Sequence, residues 1–286
     1  MTGVRLGAHM SIAGGLPQAI LRAREVDATA LQVFVKSSNQ WAARPFAAGE
    51  AEAYREASRA AGLDRHTLAH ASYLINLASP DAALWEKSVS ALRVELDRCE
   101  ALGIPWLVVH PGAHVGSGVA TGIARVVEAL RRVLPKGRKH SAGVLLENTA
   151  GQGTTLGACF EELGEMLTAA THPHPVGVCF DTCHALAAGY EFRSASAYAE
   201  MMTALDREVG LDRLRGFHLN DSKGDLGCRR DRHEHIGKGK VGLEAFRLIL
   251  ADVRFRDLPM VIETEKGDDL AEDKINLGVL RSVIAR

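Results

Sequence analysis

Short apolar runs recur along the chain, and each ends on a polar side chain. Six end on His, Asp or Glu: RHTLAH at His70, WLVVH at His110, GVLLE at Glu147, VGVCFD at Asp181, LRGFH at His218 and PMVIE at Glu263. Two more, VRLGAH and ALQVFVK, end on His9 and Lys36. Successive ends lie 27 to 45 residues apart. The runs are rich in Val, Leu and Ile and apolar on both faces, which is how a parallel strand buried on both sides reads.

Amphipathic stretches separate the runs. Segment 81–102 carries Val89, Leu92, Leu96 and Cys99 at 3-4-3 spacing, one face of a helix. Segment 122–134 repeats this with Ile123, Val126, Val127, Leu130 and Val133. Pro17 suits the first turn of a helix over 16–27, where its missing N–H costs little. Further helices are predicted over 50–61, 160–170, 195–209, 242–252 and about 268–284, with Gly62, Gly103 and Gly210 where helices should stop. Eight strand–helix units in series predict an α/β fold, a (β/α)8 TIM barrel forming one domain over 1–286. An open doubly wound sheet would gather its site at one switch point, whereas polar ends on all eight strands suit a barrel. One connection breaks the pattern. Asn220 to Val241 shows no clear periodicity and carries Arg229, Arg230, Asp231, Arg232, His233, His235, Lys238 and Lys240. A loop that long in a compact domain is usually functional or disordered.

Composition narrows the partners. A net charge of -1 supplies no global field for a polyanion, so a nucleic-acid role needs local cations or bound metal. Five cysteines without a C-x-x-C pair read as reduced thiols of a cytoplasmic protein. The start lacks the basic and apolar regions of a signal peptide, and no run approaches the roughly 20 apolar residues of a membrane span. No exposed apolar helix face demands a partner, so a monomer is expected.

The candidate chemistry is a set of nine nitrogen and oxygen donors: His70, His110, Glu147, Asp181, His184, His218, Asp231, His233 and Glu263. Nine exceeds the three or four that one zinc takes, and three ions with shared carboxylates fit the count. His with carboxylate suits zinc, manganese or iron. Asp181 and His184 stand three apart just past a strand, where a tight turn or a first helical turn can aim both inward. Asp231 and His233 stand two apart, on one side of an extended loop. A lone His at a strand end is usually a hydrogen-bonded barrel residue. Three carboxylate or imidazole tips in one ring are harder to explain so, because buried carboxylates cost several kcal/mol unless paired or metal-bound. His9 and His114 are candidates for the pocket wall or for supporting a ligand, as is His235. His66, His140, His172 and His174 read as surface residues. Gly151 to Gly157 could offer backbone N–H groups to a phosphate or form a plain tight turn. Tyr73, Leu74 and Trp41 follow strand ends, where exposed apolar side chains invite stacking.

The motifs HASYLINL, HPGAH, LENTAGQG, FDTCHALAAGY, FHLNDSK, DRHEHIGKG and IETE, in this order, resemble endonuclease IV, the metal-dependent abasic-site endonucleases of base-excision repair. The likeness runs from GAHMSIAGGL to VIETE, essentially the whole chain. It implies a (β/α)8 barrel with three zinc ions, manganese being possible at one or more positions. His70, His110 and Glu147 would hold one ion. Glu147 would bridge to a second, bound also by Asp181, His218 and Glu263. His184, Asp231 and His233 would hold the third. Glu147 and Glu263 would be the catalytic carboxylates beside a metal-activated water. The substrates implied are duplex DNA with abasic sites or blocked 3′ ends. Lys36, Asn39, Tyr73, Leu74 and Arg232 would contact the DNA, Tyr73 and Leu74 lying where the family bends it. Some members carry Arg two residues before the Trp of the second loop; this chain has Asn39 before Gln40 and Trp41.

Overall fold

A computed structural model of the chain describes residues 3–135, 141–170, 175–267 and 269–284. His140, His172 and His174 lie outside the described residues. The strands are β1 (Arg5–His9), β2 (Ala30–Phe34), β3 (Thr67–His70), β4 (Trp106–Val109), β5 (Gly143–Glu147), β6 (Val176–Asp181), β7 (Leu214–His218), β8 (Asp221–Ser222), β9 (His233–Glu234) and β10 (Pro259–Ile262). β1 to β7 and β10 close an eight-stranded parallel barrel in chain order, with β10 between β7 and β1. This is the (β/α)8 barrel that the repeating runs predict.

The helices are α1 (Leu16–Glu25), α2 (Glu50–Ala60), α3 (Ala82–Leu102), α4 (Val119–Val133), α5 (Phe160–Ala169), α6 (Thr182–Ala188), α7 (Ala195–Glu208), α8 (Leu243–Ala251) and α9 (Ala271–Ile284). Eight of them fall within three residues of the stretches that periodicity marks out. The ninth, α6, has only seven residues, too few for an amphipathic period to show. The aperiodic stretch from 220 to 241 contains β8 and β9, two residues each, paired antiparallel. No helix among the described residues is long and apolar enough to cross a membrane.

Two apolar layers organise the barrel. One, between barrel and helices, holds Leu31, Val33, Leu107, Val144, Leu146 and Ile262 against faces such as Leu92, Leu96, Val126 and Leu130. The other fills the interior with Ala30, Leu68, Val108, Leu145, Cys179 and Val261, with Trp106 packed against them. Successive residues of a strand face opposite ways, so the residue two further on faces inward again. Leu68 is followed in this way by His70, Val108 by His110, Leu145 by Glu147, Cys179 by Asp181 and Val261 by Glu263. On β2 the same step leads from Ala30 to Gln32. Gly7 and Gly216 stand two before His9 and His218. A Cβ on Gly7 would collide with the backbone carbonyl of Ala30, so β1 and β2 approach there as only glycine allows.

The β2 tip corrects an expectation. The run ALQVFVK outlasts its strand, which ends at Phe34. Lys36, expected at a tip as a phosphate contact, is only 6% exposed. Its Nζ lies 3.1 Å from Glu95 Oε1 on α3, and Glu95 also accepts the Ser72 amide at 3.1 Å. This buried pair ties the loops after β2 and β3 to α3. Removing one member of such a pair strands a charge in the core, so Glu95→Ala is expected to cost about 3–5 kcal/mol. Urea denaturation measures it; a loss under about 1 kcal/mol would mean that Lys36 finds water.

Candidate metal centre

The inward positions above the interior layer converge at the C-terminal mouth of the barrel, where this architecture places its sites. Glu147 is the hub. It is fully buried. Its Oε2 lies 3.2 Å from Nε2 of both His70 and His110. Its Oε1 lies 3.0 Å from His218 Nδ1 and 3.2 Å from His184 Nδ1. Four imidazoles therefore meet on one carboxylate. Glu263 stands beside it, Oε2 3.1 Å from His218 Nδ1, and keeps a 13% exposed side chain towards the mouth.

Local structure aims Asp181 and His184 together. Asp181 is the N-cap of α6, its Oδ1 accepting the His184 amide at 2.7 Å. Capping fixes the first helical turn and turns Oδ2 to the site. Asp231 and His233 arrive on the 220–241 loop, next to β9. Fully buried Asp221 staples that loop by accepting the amides of Gly237, Gly239 and Val241 at 2.8, 3.1 and 2.9 Å. Asn276 holds the same segment through its Oδ1, which accepts the Ile236 amide at 3.0 Å.

The donors fall into groups whose atoms lie close enough to share an ion: His70, His110 and Glu147; Glu147, Asp181, His218 and Glu263; and His184, Asp231 and His233. Ligands about 2.0–2.2 Å from one ion sit roughly 3–4 Å apart, the spacing found here. Asp231 Oδ1 lies 3.2 Å from His184 Nε2 and 3.4 Å from His233 Nε2. Yet both ring nitrogens are buried without a hydrogen-bond partner. Converging atoms that do not bond each other fit a cation between them. Cys183 also comes within reach of Asp181 and His233. Burial raises its thiol to about 12, and the group is oriented towards the Arg232 carbonyl at 3.7 Å.

The electrostatics follow from the crowding. Burial would raise Glu147, but His218 and His110 outweigh it and hold the carboxyl well below its usual range. Glu263 is treated alike: burial opposes ionisation, and His218 and His9 restore it. Burial disfavours the charged rings of His184 and His218, yet neighbours raise both well above the ordinary imidazole value, Asp181, Asp231 and Glu147 for His184, and Cys179, Glu263 and Glu147 for His218. His70 is raised too, with Glu147 overriding its burial. The cluster demands positive charge.

The remaining expected residues divide. His9 lines a cleft of about 440 Å³ with Phe34, Tyr73 and Lys266, its ring centroid 4.4 Å from that of Phe34. Tyr73 is 65% exposed, edge-on to Phe34 at the mouth, and Leu74 beside it is half-buried. Arg232 is exposed and lines the opening with Lys223. Asn39 is exposed on the β2 loop. His114 lines neither the cleft beside His9 nor the opening beside Arg232, and its Nδ1 accepts the Gly118 amide at 3.1 Å to hold its own loop. The 151–157 run is a turn pinned to that loop through Leu156 N to Gly112 O at 2.8 Å.

Three amides escape a reading based on strand ends. Asn148 clamps the Asp181 backbone, accepting its N–H at 2.7 Å and donating to its carbonyl at 3.0 Å. Asn220 donates to Asp181 Oδ2 at 2.6 Å and accepts the Glu263 amide at 2.7 Å. Gln32 bonds His218 and Glu263. The signal for Gln32 is visible in the sequence: it is a polar residue inside the otherwise apolar stretch ALQVFV.

Residues 20–282 match the family described as xylose isomerase-like TIM barrels. The chain is 49% identical over 280 residues to the probable endonuclease 4 of Chloroflexus aurantiacus, covering 98% of each. It is 49% identical over 281 residues to that of Geobacter sulfurreducens, covering 98% of this chain and 95% of the other. The crystal structure of endonuclease IV from Thermus thermophilus superposes with a TM-score of 0.84 at 39% identity, covering 98% of this chain and 99% of the other. The chain belongs to the endonuclease IV family of xylose isomerase-like barrels.

Proposed function

We propose that this protein is a DNA-repair endonuclease that hydrolyses the phosphodiester on the 5′ side of an abasic site in duplex DNA, leaving a 3′-hydroxyl. The observation that carries this reading is the triple donor cluster hinged on Glu147 at an open barrel mouth. His70, His110 and Glu147 would hold one ion, Glu147, Asp181, His218 and Glu263 a second, and His184, Asp231 and His233 a third. Zinc suits the donors, with manganese the alternative. Metal in such sites brings the pKa of water near neutrality and offsets charge on a phosphate.

The chain's own residues do the rest. Glu263, ionised and facing the mouth, can accept a proton from the attacking water. Arg232 and Lys223 at the opening supply the local positive charge that a net charge of -1 does not. Tyr73, braced edge-on by Phe34, offers a stacking face where a nucleotide leaves the helix, with Leu74 next to it in the chain and Asn39 exposed on the β2 loop as a further contact. An abasic nucleotide has no base to unstack, so extruding it is cheap, and this difference selects the substrate. The same chemistry would trim blocked 3′ ends. The protein would act as a single-domain monomer.

The test is a duplex with one abasic analogue, incubated with purified protein whose metal content is measured in parallel. Nicking on the 5′ side with about three metals per chain is the expected result. About two metals, no nicking and ketose–aldose activity would instead identify a sugar isomerase. Binding without nicking would leave a non-catalytic DNA-binding module.

A further inference from the structure

His218 faces the cluster the opposite way round from its neighbours. His70 Nδ1 bonds the Ala71 carbonyl at 2.8 Å, His184 Nδ1 the Asn148 carbonyl at 2.9 Å and His233 Nδ1 the Glu263 carbonyl at 3.2 Å. Each of these rings gives its Nδ1 proton to the backbone and turns Nε2 to a carboxylate. His218 turns Nδ1 to Glu147 and Glu263, and its Nε2 points to Gln32 Oε1 at 2.8 Å. Inside a barrel the backbone carbonyls are engaged in the strand ladder. A ring nitrogen pointing inward therefore needs a side-chain acceptor.

Gln32 meets that need, and its amide can point only one way. Its Nε2 lies 2.6 Å from Glu263 Oε1, an ionised oxygen that only accepts, so the NH2 must be there. The same nitrogen lies 3.0 Å from His9 Nδ1, which is itself 3.4 Å from Glu263 Oε1. The amide oxygen is then left for His218, whose Nε2 must carry the proton. In the neutral ring, His218 Nδ1, directed at the two carboxylates, is then the nitrogen without a proton. Gln32 is fully buried, and both its amide nitrogen and its amide oxygen are engaged.

We infer that Gln32 is a positioning residue for the metal centre: it sets the tautomer of His218 and the orientation of Glu263, and so builds the second donor group. A partner that fixes a ligating imidazole typically changes metal affinity 10–100-fold. The assignment rests on the metal-centre reading, and the experiment separates the two. Zinc is titrated into chelator-stripped wild type and Gln32→Met, a chain of similar length without the amide, in competition with a chromogenic chelator. Melting temperatures are recorded alongside. The expected result is that one ion binds about 10–100-fold more weakly in Gln32→Met while the others are unchanged. Wild type that takes up no zinc would overturn the metal-centre reading and this assignment with it. Tight zinc binding by wild type, matched by the variant, would overturn the assignment alone, even if the variant melts lower. Should Gln32→Met fail to fold, nitrogen-15 spectra of histidine-labelled, zinc-loaded wild type decide. His218 protonated on Nε2 supports the assignment; His218 protonated on Nδ1 rejects it.

Discussion

Exchanging Glu147 for Gln is expected to lower nicking of an abasic duplex by about a hundred- to a thousandfold, the scale seen when a group stabilising transition-state charge is removed. The two oxygens of Glu147 each face two imidazoles, at 3.0 to 3.2 Å. An amide of the same shape keeps one acceptor and puts an NH2 where the other was. The His70 and His110 side, or the His218 and His184 side, then loses its anion. Two of the three donor groups share this residue, so bound metal per chain should fall as well. Metal analysis beside the cleavage assay checks both effects. A variant with full metal content and activity within tenfold of wild type would remove Glu147 from the centre.

Stability should respond to pH in opposite ways with and without metal. In chelator-stripped protein, His70, His184 and His218 have raised folded values. Their contribution is complete below the unfolded imidazole value of about 6.5 and is lost as pH rises through the folded values. Glu147 and Glu263 have lowered folded values, so their contribution is present above the unfolded value of about 4.3 and is lost as pH falls. The stripped protein should therefore be most stable in the weakly acidic window between these limits and melt progressively lower towards pH 9. Each pH unit of displacement per group corresponds to about 1.4 kcal/mol. A bound cation would replace the ring protons as counter-charge, so the loaded protein should keep its melting temperature on the alkaline side. On the acid side protons compete with the ion for the same atoms. Melting curves of both forms from pH 5 to 9 make the comparison; parallel curves would show that protons, not cations, neutralise this cluster.

The barrel and most of the donor set are legible in the sequence for one physical reason. A strand buried on both faces is apolar throughout, so a His or carboxylate at its end is conspicuous. The spacing of Asp181 and His184 is legible as a tight turn or a helix start, and the cap on α6 makes it the second. Lys36 misleads because Val35, buried against the helical layer, prolongs the apolar run beyond the strand. Gln32 is overlooked because it sits inside a run, where inward orientation is set by residue parity and not by position at the end. Asn148 and Asn220 cannot be paired with Asp181 and Glu263 from sequence, since those bonds cross between strands 33 to 43 residues apart. The β8–β9 pair is two residues long on each side, below the length at which alternation carries information.

The two-residue step from the packed layer to the donor layer also sets where the gene can tolerate change in length. Deleting one residue between Leu145 and Glu147 would turn the hub carboxylate away from its four imidazoles and out among the helices. Lengthening a connection beyond a strand tip leaves that parity untouched, and the uneven spacing of the tips, 27 to 45 residues, shows that the loops already vary. Insertions and deletions should therefore accumulate between the strands of this barrel and be purged from within them.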